Sequence, residues 1–222
     1  MMMEQERQVL VIFPHPDDEA FGVSGTIMKH IDAGTPVTYA CLTLGQMGRN
    51  LGNPPFATRE TLPKIREKEL EDACRVMGIT DLRKMGYRDK TLEFELLDDL
   101  ADMVTGLINE LNPSKIISFY PGYSVHPDHE ATADAVVEAV RRMDGEKPKL
   151  HLVAFSNDTV ENIGEPNVEY DISGYEERKM NVLGAHASQT GPMLENLAAN
   201  TQEAEAAKDM WLRKERFYEY EV

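Results

Sequence analysis

Two short segments of this sequence set histidines beside carboxylates at spacings that suit a metal ion: His15-Pro16-Asp17-Asp18-Glu19 and His126-Pro127-Asp128-His129-Glu130. Imidazoles and carboxylates are the donors that hold zinc, and a catalytic ion keeps one position open for water. His15 and Asp18 lie three residues apart across a tight turn and can aim at one ion while Asp17 between them points elsewhere. His129 from the second segment would complete a set of two imidazoles and one carboxylate. Asp17 is then uncommitted and suited to take a proton from water as a general base. His126, one turn before His129, is placed to stabilise an oxyanion or to protonate a leaving amine. Asp128 is expected to orient His126 through its ring N–H. Together these groups describe amide hydrolysis by metal-activated water. Proline followed by acidic residues is also an ordinary helix start. Capping alone has no use for a histidine before each proline, yet three of the six histidines lie in these two pentapeptides.

The elements that must position these residues follow from the pattern around them. Apolar β-rich runs at Gln8 to Phe13, Pro36 to Leu44, Leu82 to Gly86, Lys115 to Tyr120 and Leu150 to Phe155 alternate with amphipathic stretches. That order predicts βαβ units around a largely parallel sheet. Helices are expected up to about Ala33, over Lys64 to Met77 with Gly78 as its stop, over Leu96 to Leu111, over Pro127 to Met143, and through most of the chain after Tyr175. Glu195 to Lys208 reads as a solvated helix. Both pentapeptides therefore fall where a strand gives way to a helix, and active sites of open α/β sheets form outside the carboxyl ends of the strands. The expected fold is α/β, a Rossmann-like three-layer sandwich in a single domain over residues 1–222, with the site at the C-terminal strand ends. The loop from Gly45 to Pro63 is too long for a simple connector. It reads either as a wall or lid over the site or as a disordered excursion.

Composition removes several function classes. A net charge of −16 over 222 residues repels a nucleic-acid backbone and an anionic membrane surface. The apolar run from Val9 to Phe13 is broken by Pro14, so neither a signal-peptide core nor a membrane span is expected, which points to the cytoplasm. Two cysteines, Cys41 and Cys74, are too few for a secreted disulfide framework and read as buried thiols. His30 and His151 sit in apolar patterns and read as core or surface residues rather than ligands. A nucleotide-binding module is the alternative of another class, but no GxGxxG follows the first strand and no GxxxxGK[ST] occurs.

At these residues the chain resembles the PIG-L/LmbE-like family of zinc-dependent N-acetylglucosaminyl deacetylases. The likeness includes the Thr43-Leu44-Gly45 turn with Arg49, the segment from Arg66 to Gly78, Tyr87-Arg88-Asp89, both pentapeptides and His186 to Gln189, in the family's order. Within the family it looks most like the bacillithiol-biosynthesis deacetylases, in particular their second paralogue. The resemblance implies Zn2+ on His15, Asp18 and His129, the base at Asp17, the catalytic histidine at His126, and sugar-binding roles at Arg49, Arg66 and Asp89, with Gln189 at the cleft rim. Zinc is the expected ion, although such a ligand set also accepts iron, cobalt or manganese. Gln46-Met47-Gly48-Arg49 departs from the pattern, since related enzymes often carry an acid after the glycine turn. Arginine there implies a more anionic substrate such as N-acetylglucosaminyl malate, because guanidinium grips carboxylates in a bidentate manner. Another acetylated amino sugar or a thiol-conjugate amide is the alternative within the class. The resemblance also implies a homo-oligomer, a trimer or a hexamer.

Overall fold

The computed structural model describes residues 3–199 and 201–222. The expected absence of a signal-peptide core therefore lies partly outside the described residues, at Met1 and Met2, and the expected helix over Glu195 to Lys208 does so at Asn200. Among the described residues, no helix is long and apolar enough to cross a membrane.

Five strands form the parallel heart of the sheet: β1 (Val9–Phe13), β2 (Val37–Thr43), β3 (Asp81–Tyr87), β4 (Lys115–Phe119) and β5 (Lys149–Val153). Two more, β6 (Val168–Asp171) and β7 (Lys214–Tyr220), complete the order β3-β2-β1-β4-β5-β7-β6. All residues of β1, β2 and β4 are buried, which is why these strands read as mostly apolar runs, interrupted only by Thr38, Thr43, Lys115 and Ser118, rather than as alternation. Val9, Val11 and Phe13 face one helical layer, while Leu10 and Ile12 face the other. The first layer holds α1 (Asp18–Gly22), α2 (Ser24–Asp32), α3 (Leu62–Met77), and later α7 (Glu176–Ala185) and α8 (Ala187–Ala198). The second holds α4 (Leu97–Leu111) and α5 (Pro127–Arg141). Short helices α6 (Thr159–Ile163) and α9 (Gln202–Lys208) and a π-helical turn, Asp209–Arg213, lie on the connections. This is the expected α/β sandwich.

Two expectations of local structure are corrected. The first helix starts only at Asp18, after the tight turn that follows β1, and breaks at Val23, φ −142° and ψ −1°, into α1 and α2. The chain after Tyr175 is mainly helical, as expected, and ends in a strand: β7 pairs antiparallel with β5 and β6. Its sequence, Lys-Glu-Arg-Phe-Tyr-Glu-Tyr, mixes charge with aromatics and lacks the apolar run of the central strands. The solvated helix over Glu195 to Lys208 is two helices, α8 and α9, with Leu197 and Ala204 buried. Both cysteines are buried free thiols, as expected.

At the opposite end of the sheet from the pentapeptides, His30 and His151 are buried beside Lys115. Burial, reinforced by the Lys115 ammonium, pushes the His30 imidazole down to about 3 and that of His151 to about 4. The unfolded chain then takes up protons near pH 6.5 that the folded chain refuses, so stability present above that value is lost as pH falls towards 4. Each imidazole contributes a slope of up to about 1.4 kcal/mol per pH unit. Chemical denaturation at pH 7 and pH 4.5 is expected to show this loss, and His30→Gln is expected to flatten it. An identical slope in that variant would contradict the assignment.

Candidate active site

The strand order reverses between β1 and β4, which pair directly. The segment after β1 carries His15 to Glu19 and the one after β4 carries His126 to Glu130, so both emerge into one crevice at the topological switch point. The two turns differ in detail. Asp17 adopts φ 105° and precedes α1, so Pro16 lies outside the helix; Pro127 opens α5 in the ordinary way, with His126 as N-cap. Val125 also has a positive φ, 53°, which is costly for a β-branched residue and holds the backbone before His126 in an unusual turn.

Three side chains meet at the crevice floor. His15 Nδ1 lies 3.2 Å from His129 Nε2 and 3.4 Å from Asp18 Oδ2, and His129 Nε2 lies 3.4 Å from Asp18 Oδ1. Ligand atoms on one tetrahedral ion with bonds of about 2.0–2.1 Å stand ~3.3–3.4 Å apart, so this donor set fits a zinc-sized cation. The imidazoles are oriented from behind. His129 Nδ1 faces the carbonyl of Ser124 at 3.0 Å, and His15 Nε2 faces both Asp128 Oδ2 and Asp89 Oδ1 at 3.2 Å. Such outer carboxylates and carbonyls fix the tautomer of a ligating histidine. Burial opposes a charge on His15, but Asp18, together with hydrogen bonds to Asp128, Asp18 and Asp89, overrides it and holds the imidazole well above 6.5. Burial likewise opposes the Asp18 carboxylate, yet the facing His129 and His15 hold it far below the usual range.

His126 also stands near His15 and His129, with ring centroids at 4.9 and 5.0 Å. Its Nδ1 accepts the backbone N–H of Asp128 at 3.2 Å, which leaves Nε2–H as the donor in the neutral form. Burial and the nearby His15 and His129 lower its pKa. Asp128 does not orient His126 through its carboxylate as expected. That carboxylate is fully buried and takes His15 Nε2 together with the backbone N–H groups of Lys90, at 2.6 Å, and Leu92, at 3.1 Å. The helix start turns its side chain towards His15 and the segment after β3 rather than towards the histidine ring two residues earlier.

Asp17 borders the crevice with one carboxylate oxygen 3.0 Å from Arg66 Nη2. Burial pushes its pKa up to about 6; Arg66 opposes this, while Asp18 and Glu19 add to it. Arg66, expected at the sugar, is buried at 3% exposure and spends its guanidinium on Asp17, the Pro16 carbonyl and the Gly45 carbonyl. Gly45, at φ 59°, is required there because a Cβ would overlap that guanidinium. Asp89, also expected at the sugar, is committed to His15 and to the backbone N–H of Met47 at 2.7 Å. Arg49 is exposed and lines the polar recess in front of Asp17 and His126, together with Lys90 and Gln189. Gln189 and Asn50 exchange hydrogen bonds at 2.9 Å, and Gly52 N–H bonds the Ser188 carbonyl at 3.0 Å. The long loop is therefore a wall pinned to α8, which favours that reading over a disordered excursion.

Several site residues escaped the sequence reading. Glu19, fully buried, joins His186 at 2.6 Å, Tyr39 Oη at 2.9 Å and the Asp17 N–H at 3.1 Å, and so supports the turn that presents Asp17. Glu69 accepts Ser188 N–H and Oγ–H at 2.7 Å and anchors the start of α8. Glu130 accepts the Ser124 N–H at 2.6 Å and shapes the loop beneath His129. A usable signal existed for Glu69, which with Arg66 occupies the same helical stripe as Leu62, Leu70, Ala73 and Met77, where charge has no place without a buried partner.

Comparison with known proteins completes the picture. The sequence pattern of PIG-L, described as GlcNAc-PI de-N-acetylase, matches residues 10–140. A probable N-acetyl-alpha-D-glucosaminyl L-malate deacetylase 2 of Bacillus cereus is 54% identical over 97% of this chain and 98% of its own. The protein of the same name in Bacillus subtilis is 46% identical over 97% and 98%. Among solved structures, the N,N'-diacetylchitobiose deacetylase of Pyrococcus horikoshii superposes with a TM-score of 0.71 at 26% identity, covering 96% of this chain and 83% of that one.

Proposed function

The chain belongs to the PIG-L (GlcNAc-PI de-N-acetylase) family, and from that membership we propose that it hydrolyses the N-acetyl group of N-acetylglucosaminyl L-malate, the step that frees the glucosamine nitrogen in bacillithiol biosynthesis. The observation that carries the reading is the mutual 3.2–3.4 Å spacing of His15, Asp18 and His129 beside an unligated Asp17. These three residues would hold the ion, taken as zinc for its fit to two imidazoles and a carboxylate. When bound, the cation supplies Lewis acidity, which lowers the pKa of water from about 15.7 to about 7. Asp17 accepts a proton from the attacking water at its carboxylate, tuned upward by burial towards the working pH. His126 lines the same recess, and with Nδ1 on the Asp128 N–H its Nε2–H is available to the oxyanion or, as an imidazolium, to the departing amine. Asp128 and Asp89 act through His15, holding its Nδ1 towards the site, and Arg66 acts through Asp17.

Arg49 and Lys90 bring positive charge to the recess of a chain whose net charge is −16, which favours a dicarboxylate aglycone there. A charged hydrogen bond of about 1.5–3 kcal/mol corresponds to roughly 10- to 100-fold. Arg49→Met is accordingly expected to lower kcat/KM for the malate glycoside by that factor and to leave plain N-acetylglucosamine nearly unaffected. Acetate release from both substrates by the zinc-loaded protein measures this. No acetate from either would remove the deacetylase reading; equal losses on both would remove Arg49 from recognition of the malate.

A further inference from the structure

Asp17 belongs to two recesses of opposite character. The polar one, of about 250 Å³, holds Arg49, Lys90 and His126. The other, of about 400 Å³, opens beside Asp18 and His129 and is walled by Phe21, Phe119, Val153, Phe155 and Trp211. Its aromatic lining is built rather than incidental: Phe119 stacks on the His129 ring at 4.1 Å and meets Phe155 at 5.6 Å, and Phe21 meets Trp211 at 6.0 Å. Gly22 and Val23 also line the wall, and a Cβ at Gly22 would stand 3.7 Å from Val153.

An amide lying over Asp17 must send its amine side one way and its acyl side the other. A sugar bearing two carboxylates is matched by the cationic recess and rejected by the apolar one, so the acyl group enters the aromatic recess. An acetyl methyl needs about the volume of one water, ~30 Å³. The space beside the ligands is instead in the range that accommodates whole small ligands, ~300–1,000 Å³. We propose that this recess is an acyl subsite for straight-chain groups longer than acetyl, so that the chain also hydrolyses N-butyryl and N-hexanoyl glucosaminyl amides. The proposal rests on the deacetylase reading and extends its substrate class. The chemistry is unchanged: water adds to the carbonyl carbon, the C–N bond breaks, the amine nitrogen takes the proton, and a butyrate or hexanoate leaves in place of acetate.

Trp211 is the single tryptophan of the chain, which makes binding directly visible. In chelator-treated protein, where no turnover intervenes, N-hexanoylglucosamine is expected to shift Trp211 fluorescence saturably, at concentrations well below those at which N-acetylglucosamine acts. With zinc restored, kcat/KM for acetyl, butyryl and hexanoyl glucosaminyl malate is expected to hold or to rise, by up to about fourfold per added methylene. Phe155, 46% exposed at the mouth and so replaceable without risk to folding, provides the variant. Phe155→Ala is expected to lower the hexanoyl-to-acetyl ratio of kcat/KM at least threefold. Butyryl and hexanoyl values below the acetyl value, no fluorescence response to the hexanoyl sugar, or an unchanged ratio in Phe155→Ala would each overturn the acyl subsite while acetyl turnover stands. Failure to hydrolyse any member, acetyl included, would instead overturn the deacetylase reading and this one with it.

Discussion

Asp17→Asn is expected to reduce kcat by roughly 10² to 10⁴, the usual worth of a general base, while zinc remains bound in one equivalent. Asparagine keeps the shape of the side chain and is among the few residues that tolerate a positive φ, so the turn at φ 105° survives the change. What it loses is the capacity to take a proton. The carboxylate it replaces is well suited to that task, since burial pushes its pKa up to about 6 against the pull of Arg66. Arg66 keeps its bonds to the Pro16 and Gly45 carbonyls in the variant, which holds the wall of the site in place. Saturating-substrate turnover measured alongside elemental zinc content decides the matter. Wild-type turnover would exclude Asp17 from proton transfer, and loss of zinc would reassign it as a ligand.

Removing the cation is expected to lower kcat/KM by at least about 10³-fold, because Lewis-acid stabilisation is worth several kcal/mol and each 1.36 kcal/mol is tenfold in rate. Zinc added back is expected to restore the rate, whereas Asp18→Ala is expected to prevent restoration and to lower zinc stoichiometry. Retention of full activity by metal-free protein would end the hydrolytic mechanism described here. Affinity for the cation should also fall with pH. His15 is held well above 6.5 by its carboxylate neighbours, so its proton must leave before Nδ1 can bind, and acidification makes that departure costlier. A bound cation would tie a turn after β1 to one after β4, and it should therefore raise the melting temperature with the logarithm of its concentration over its Kd.

The central strands and the helices between them were legible because parallel strands covered on both faces must be continuously apolar, and helices on a sheet must carry a 3.6-residue stripe. The late strands β6 and β7 were not. Their antiparallel pairing gains from neighbours far along the chain, and alternating charge on β7 imitates a solvated surface.

The site divides along the same line. The sequence by itself determined the donor types, the free carboxylate beside them and their location at two strand ends, because all of these depend on residues at most a few positions apart. Only the tertiary structure decided that Asp128 and Asp89 support His15, that Arg66 is spent on Asp17, and that an aromatic recess flanks Asp18 and His129. Those outcomes depend on strand order and on contacts across 38 residues between Lys90 and Asp128, or 113 between His15 and Asp128. Local periodicity tells which face of an element is buried. It does not tell which buried charge will meet which partner, because that is settled only when the faces of distant elements compete for the same space.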